Sequence, residues 1–218
     1  MRSAEVPGPT KGVRTKQRIA DAALRVFARD GYVKTRMSDV AVEADLSMGG
    51  LYRYFGNKTE LFTYLVSNLY DQFFDVSRPR ESSFDTSPED AVLESNLRYF
   101  EKYAENRHLM RAFIESANVD EQFLELWWAG RRRHVDRFVH VLSARSEWDT
   151  MPPGSLHTRA EAIACMTEEC AYVWFAQSER QAVTVTPEEA AAIVTLAAKP
   201  LLLAPEALQS TAAKGVQA

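Results

Sequence analysis

Apolar positions recur at helical spacing along most of this chain, and they predict a run of helices. Ile19, Ala22, Ala23, Val26 and Phe27 form one apolar face, which predicts a first helix from near Thr15 to Arg29. Asp30-Gly31 should end it. A second helix is expected from Met37 to Ala44, with Val40 and Ala41 inward. In the stretch Leu46 to Lys58 (LSMGGLYRYFGNK), Ser47 is a good N-cap, because its hydroxyl accepts from free backbone N–H groups. Leu51 and Phe55 lie four apart and should both face inward. Asn57-Lys58-Thr59-Glu60 reads as a capping box. The helix it opens should run to about Phe74 on Leu61, Phe62, Leu65, Val66 and Leu69.

Ser77 to Ser87 is polar and holds Pro79, so a linker is expected there. Ser87-Pro88-Glu89-Asp90 then starts a helix with proline at its first position. That helix carries Val92, Leu93, Leu97, Phe100 and Tyr103 and ends near Asn106. A short helix follows through Leu109, Met110, Phe113 and Ile114. A long one is expected from Glu121 to about Arg145. Pro152, Pro153 and Gly154 demand a loop, and Thr158 to Glu161 reads as the capping box of the next helix. Thr186-Pro187-Glu188-Glu189 starts the last helix, which Pro200 stops. Only Ala182 to Val185 alternates as a strand would, and it is too short to predict one. The fold class expected is all-α, in two domains. The division is a disordered tail over 1–13, a headpiece over 14–60, a larger helical domain over 61–205 and a frayed end over 206–218.

Composition adds a charge asymmetry. The 218 residues carry a net charge of −4. Residues 1–60 hold 11 Lys and Arg against 7 Asp and Glu, so the basic excess sits in the headpiece. The remainder is acidic. Arg2, Lys11, Arg14, Lys16 and Arg18 make the entry basic, either as a solvated tail or as an arm on phosphates or the minor groove. No apolar run is long enough to span a membrane, the first residues lack an apolar segment, and a cytoplasmic protein is expected. Cys165 and Cys170 are five apart, on different helix faces, and read as two small buried residues rather than a redox pair. The four histidines are scattered. Neither a metal site, nor a cofactor, nor a catalytic set is expected.

The run RIADAALRVFARDGYVKTRMSDVAVEADLSMGGLYRYFGNKTELF carries the most specific signal. Its anchors are Ile19, Ala23, Phe27, Gly31, Tyr32, Thr35, Val40, Ala41, Ala44, Ser47, Gly49, Leu51, Tyr52, Phe55, Lys58 and Leu61. At this spacing they resemble the helix-turn-helix domain of the TetR family of transcriptional regulators. Three positions depart from the family's pattern. Arg36 stands where Thr or Ser is usual. Asp45 replaces a Gly at a turn, where Asp tolerates the left-handed conformation. Gly50 replaces a Thr, and with Gly49 makes the helix start costly by about 1 kcal/mol per residue relative to Ala. Part of that helix is therefore expected to order only on DNA.

The resemblance implies that Tyr52, Tyr54 and Lys58 contact the DNA backbone and that Met48, Gly49 and Gly50 meet bases. Ser47 and Arg53, with Arg36 and Ser38 on the preceding helix, complete the DNA-facing set. The aromatic second domain suggests an apolar ligand cavity. Candidate lining residues are Phe100, Tyr103, Met110, Phe113, Trp127, Trp128, Phe138, Met166, Thr167, Cys170 and Trp174. Leu97 to Leu203 resembles the branch that includes the EthR repressor, which implies an elongated hydrophobic ligand. Arg131-Arg132-Arg133-His134 reads as a solvated face. Of Glu168 and Glu169, one should face solvent, since burying both is costly. Together these imply a ligand-responsive repressor. It would bind double-stranded DNA at a near-palindromic operator as a homodimer, through Ala160–Phe175 and Ala190–Leu203, and would be released by a small, mostly hydrophobic molecule. An activator of the same build, or a helical carrier or enzyme for hydrophobic molecules, are the alternatives.

Overall fold

The computed structural model describes residues 10–78, 87–143, 152 and 154–202. The first nine residues, most of the Ser77–Ser87 linker, the segment 144–151 and the expected frayed end lie outside that set. The described residues form nine α-helices and no strand. They are α1 (Lys11–Lys34), α2 (Met37–Glu43), α3 (Met48–Tyr52), α4 (Lys58–Val76), α5 (Pro88–Glu105), α6 (Arg107–Ala117), α7 (Glu121–Ser143), α8 (Ser155–Ala171) and α9 (Pro187–Ala198). None is long and apolar enough to cross a membrane.

Local chemistry accounts for most of the helix ends. Ser47, Asn57, Ser87 and Thr186 each accept from a backbone N–H three residues on, as N-caps do. At Thr186 the box is reciprocal, with Glu189 accepting from the Thr186 N–H at 2.9 Å. At Asn57 it is not: the Glu60 carboxylate reaches past to the Gly56 N–H, at 2.7 Å. Asp45 sits at φ 51°, so the left-handed turn between α2 and α3 is made by an aspartate.

Three boundaries differ from expectation. Helix α1 begins at Lys11, capped by Thr10, inside the stretch expected to be disordered. Gly31, at φ 73°, kinks α1 instead of ending it, and one further turn follows. Helix α8 starts before Thr158, at Ser155 after the cap residue Gly154, and the Thr158 hydroxyl donates back to the Gly154 carbonyl instead of capping. After α8 the chain makes a π-helical turn, Tyr172–Ala176.

The headpiece core is Ile19, Val26, Phe27, Val40, Leu51, Phe55, Leu61 and Phe62, all buried. It is continuous with the core of the second domain through Leu65, Leu69 and Phe73 on α4 and Phe113 and Phe123 beyond. Helix α6 packs on α1, and α9 packs on α5, where the Asn96 amide donates to Thr195 at 2.9 Å in the interior.

Candidate functional site

Two sites are built on this frame, and α4 joins them. The first is the outer face of α2 and α3. Leu51 and Phe55 anchor α3 from behind, both buried. Gly49 and Gly50 lie within the helix Met48–Tyr52. A side chain at Gly50 would crowd the Ser47 hydroxyl, so the glycine leaves room for the cap. In front, Arg36, Ser38, Ser47, Met48, Gly49, Tyr52 and Arg53 are exposed; Gly50 and Tyr54 are half-buried. Among the described residues neither Arg36 nor Arg53 has an ion-pair partner. Asp39 accepts from the Arg36 backbone N–H at 3.0 Å and leaves its guanidinium free.

Two basic groups of the headpiece turn inward. The Lys58 ammonium donates to the carbonyls of Tyr32 at 2.8 Å and Val33 at 3.3 Å, and lies over the Tyr32 ring. Partial burial pushes its pKa down. Lys58 thus closes the last turn of α1. Lys16 stacks over Tyr64, 4.1 Å from the centroid, and over Phe55.

The second site is a cavity of about 620 Å³ lined by residues of α4 to α8. That is within the usual size for small-molecule sites. Of the expected residues, Tyr103, Met110, Trp127, Trp128, Phe138 and Thr167 line it. The other five do not. Phe100 and Phe113 are fully buried in the core behind it, and Trp174 and Cys170 pack there against buried neighbours. Met166 bridges the two core clusters. Helical periodicity identifies an inward face but does not tell cavity wall from solid core.

The polar wall was not anticipated. Arg131, expected in solvent, is buried and pairs with the Glu168 carboxylate; it also donates to the Cys165 sulfur at 2.7 Å. Cys165 is exposed, not buried, and both cysteines are free thiols. Glu168 is half-buried while Glu169 is exposed, as the cost of burying two carboxylates requires. Burial pushes the Glu168 carboxyl upward, against the pull of Arg131. His134 is largely buried, and burial beside Arg137 and Arg133 pushes its pKa down to about 4, so it is neutral at pH 7. Only Arg132 and Arg133 of the basic run remain exposed. Arg133 pairs with Asp71 and stacks on Phe74.

Tyr70 and Tyr99 join Tyr103 in the wall. Among the described residues their three hydroxyls make no hydrogen bond, and burial holds the phenols of Tyr70 and Tyr99 well above their ordinary range. A side chain at Gly130 would overlap the Tyr70 ring, so α7 lies against α4 through a bare backbone. A spacing rule applied to α4 would have found Tyr70 and Phe73, which share a face with Phe62 and Leu69.

A profile of the tetR family of bacterial regulatory proteins matches residues 19–65. The match covers the helix-turn-helix headpiece and the start of α4. The HTH-type transcriptional regulator TtgR of Pseudomonas putida is 32% identical over 74 residues, which are 34% of this chain and 35% of TtgR. The match therefore spans about a third of that relative. The HTH-type transcriptional repressor KstR of Mycolicibacterium smegmatis is 29% identical over 155 residues, 68% of this chain and 71% of KstR. The fold of the whole chain has counterparts as well. A TetR-like transcriptional regulator from Rhodococcus sp. RHA1 superposes with a TM-score of 0.66 at 22% identity, over 84% of this chain and 93% of that one. A Syntrophomonas wolfei regulator of the same description gives 0.69 at 17% identity, over 88% and 96%.

Proposed function

We propose that this protein is a ligand-responsive transcriptional repressor that binds a near-palindromic operator as a homodimer. A small, mostly hydrophobic molecule would release it. The observation that carries this reading is the double role of α4. Its first half is core to the headpiece, through Leu61, Phe62 and Leu65. Its second half is cavity wall, through Tyr70, Phe73 and Ser77. A ligand that displaces the second half moves the first half with it, and the chain leaving α3 rests there, with the Phe55 ring 5.3 Å from that of Tyr64. The ligand must favour the DNA-incompetent arrangement, or nothing shifts.

On DNA, the N-terminal end of α3 enters the major groove. Met48, Gly49 and Gly50 approach the bases, and Arg36, Ser38, Ser47, Tyr52, Arg53 and Tyr54 hold phosphates or guanine edges. Lys58 stays outside that set, because its ammonium is engaged by α1. With two glycines at the reading end, DNA shape carries part of the specificity. The dimer face is the outer side of α9, where Ile193 and Leu196 are exposed, together with α8. Such a regulator works in the cytoplasm. The EthR-type tunnel fits the aromatic wall in part; the buried Arg131–Glu168 pair adds a polar end.

Fluorescence anisotropy on the upstream intergenic duplex, against a scrambled duplex at physiological salt, tests this. Tight binding to the native duplex alone is expected. Equal weak binding by ligand-stripped, refolded protein to every intergenic duplex tried would refute it.

A further inference from the structure

The cavity wall contains two guanidinium groups, and their surroundings differ. Arg131 has Glu168 as its counter-charge. Arg137 has none: among the described residues it ion-pairs with no carboxylate. Its donors go to the end of α4, to the Phe74 carbonyl and to the Ser77 carbonyl and hydroxyl, the last at 2.8 Å. Its plane lies 4.1 Å from the centre of the Phe74 ring. Asp75 on α4 influences it only from a distance, and Arg78 and Arg133 repel it. The adjacent His134 is neutral and supplies no counter-charge. Thr167 donates to the Ile163 carbonyl, Asn96 to Thr195 and Ser95 to the Ser77 carbonyl, while the hydroxyls of Tyr70, Tyr99 and Tyr103 are neutral groups of the wall. Of the remaining acids in the wall, Glu169 is exposed and Glu161 faces His157 on the solvent side of α8.

A half-buried cation facing an aromatic cavity favours an anion there, since charge-assisted pairs are strongest where water is scarce. We infer that the ligand of this cavity is an amphipathic acid: an apolar body among Trp127, Phe138 and Tyr99, and a carboxylate or similar acidic group on Arg137. This rests on the cavity reading above and narrows it to a chemical class. It also supplies a coupling. The carboxylate competes with the last carbonyls of α4 for the same guanidinium, so occupancy is felt at the end of the helix that carries the headpiece.

The test uses the full-length protein, decanoate and methyl decanoate, with quenching of tryptophan fluorescence as the readout. Decanoate should bind about tenfold or more tightly than its ester, the span of a charge-assisted bond. Arg137→Met should remove that preference while changing ester affinity less than about threefold, and Arg137→Lys should restore part of it. Acid no tighter than ester in the wild type, which needs no variant, would overturn the inference and leave a ligand-responsive repressor standing. So would an equal loss of acid and ester in Arg137→Met, which is a purely structural effect. If neither probe binds while DNA binding is intact, the inference fails and the cavity reading fails with it.

Discussion

The ring of Phe123, in the first turn of α7, meets that of Phe62 on α4 edge-on, with centroids 5.2 Å apart. Tyr32, at the end of α1, presses on Phe123 from 4.9 Å, and Phe113 closes the cluster. Both phenylalanines are fully buried. Tyr32 belongs to the headpiece and Phe123 to the larger domain, and Phe62, just past the boundary expected at residue 60, packs on both, so two units that read as separate along the chain share one aromatic core. Such edge-to-face pairs add to the burial of the rings themselves.

Phe123→Ala should therefore damage the joint between the units. A loss of about 3–5 kcal/mol is expected from the cavity it leaves. Urea unfolding followed separately in each domain would show it. Two resolved transitions should replace one, because the shared core is what makes them cooperative. A single transition with unchanged midpoint would mean that the units are joined elsewhere.

Lys58 leads to a prediction that its place at a helix N-terminus would not suggest. Its ammonium already satisfies the carbonyls of Tyr32 and Val33. Lys58→Met should lower stability by about 1–2 kcal/mol, the usual consequence of losing charged hydrogen bonds at a helix end. The salt dependence of DNA binding should stay as it is. Arg36→Ala and Arg53→Ala should instead leave stability unchanged and lower the salt slope by about 1 each. Measuring affinity from low to moderate salt separates the two patterns, and a reduced slope in Lys58→Met would show that the ammonium swings to a phosphate on binding.

The same residues show what was legible in the sequence. Asp45, Ser47, Leu51 and Phe55 were readable because turn, cap and anchor are local: each depends on neighbours within about a turn of chain. Lys58, Phe123, Arg131 and Arg137 were not. Their partners are Tyr32, Phe62, Glu168 and Ser77, far away along the chain, and a basic residue amid basic neighbours looks solvated until a buried acid or a helix end is folded against it. The cavity failed differently. Phe100 and Tyr103 are three apart on one buried face, yet only Tyr103 borders open space.

The outer face of α9 carries a prediction about assembly. Ile193 is 53% exposed and Leu196 68%, three residues apart on one side of a well-capped helix. Exposed apolar groups so placed mark an interface. Ile193→Asp with Leu196→Asp should leave the fold intact, since neither side chain is in the core, and give a monomer by analytical ultracentrifugation. Operator affinity should fall at least tenfold, because two linked headpieces bind far more tightly than one. A double variant that remains dimeric would place the interface elsewhere.

The pH dependence of stability tests the His134 environment. The folded pKa, about 4, lies below the value of 6.5 for a free imidazole. Above pH 6.5 both states are neutral there and His134 adds no pH dependence. As pH falls from 6.5 toward 4, the unfolded chain takes up a proton that the folded chain refuses, and stability is lost. The full effect, discounted for partial solvent access, is about 2 kcal/mol. Glu168 acts in the opposite sense: its raised pKa makes the folded state the better proton acceptor as pH falls. The wild-type curve alone mixes the two, so the informative quantity is the difference between wild type and His134→Phe, in which the Glu168 contribution cancels. That difference should be flat above pH 6.5 and should shift in favour of the variant below it. A difference independent of pH from 7 to 4 would mean that His134 titrates as it does in water, and that this part of the wall is open to solvent.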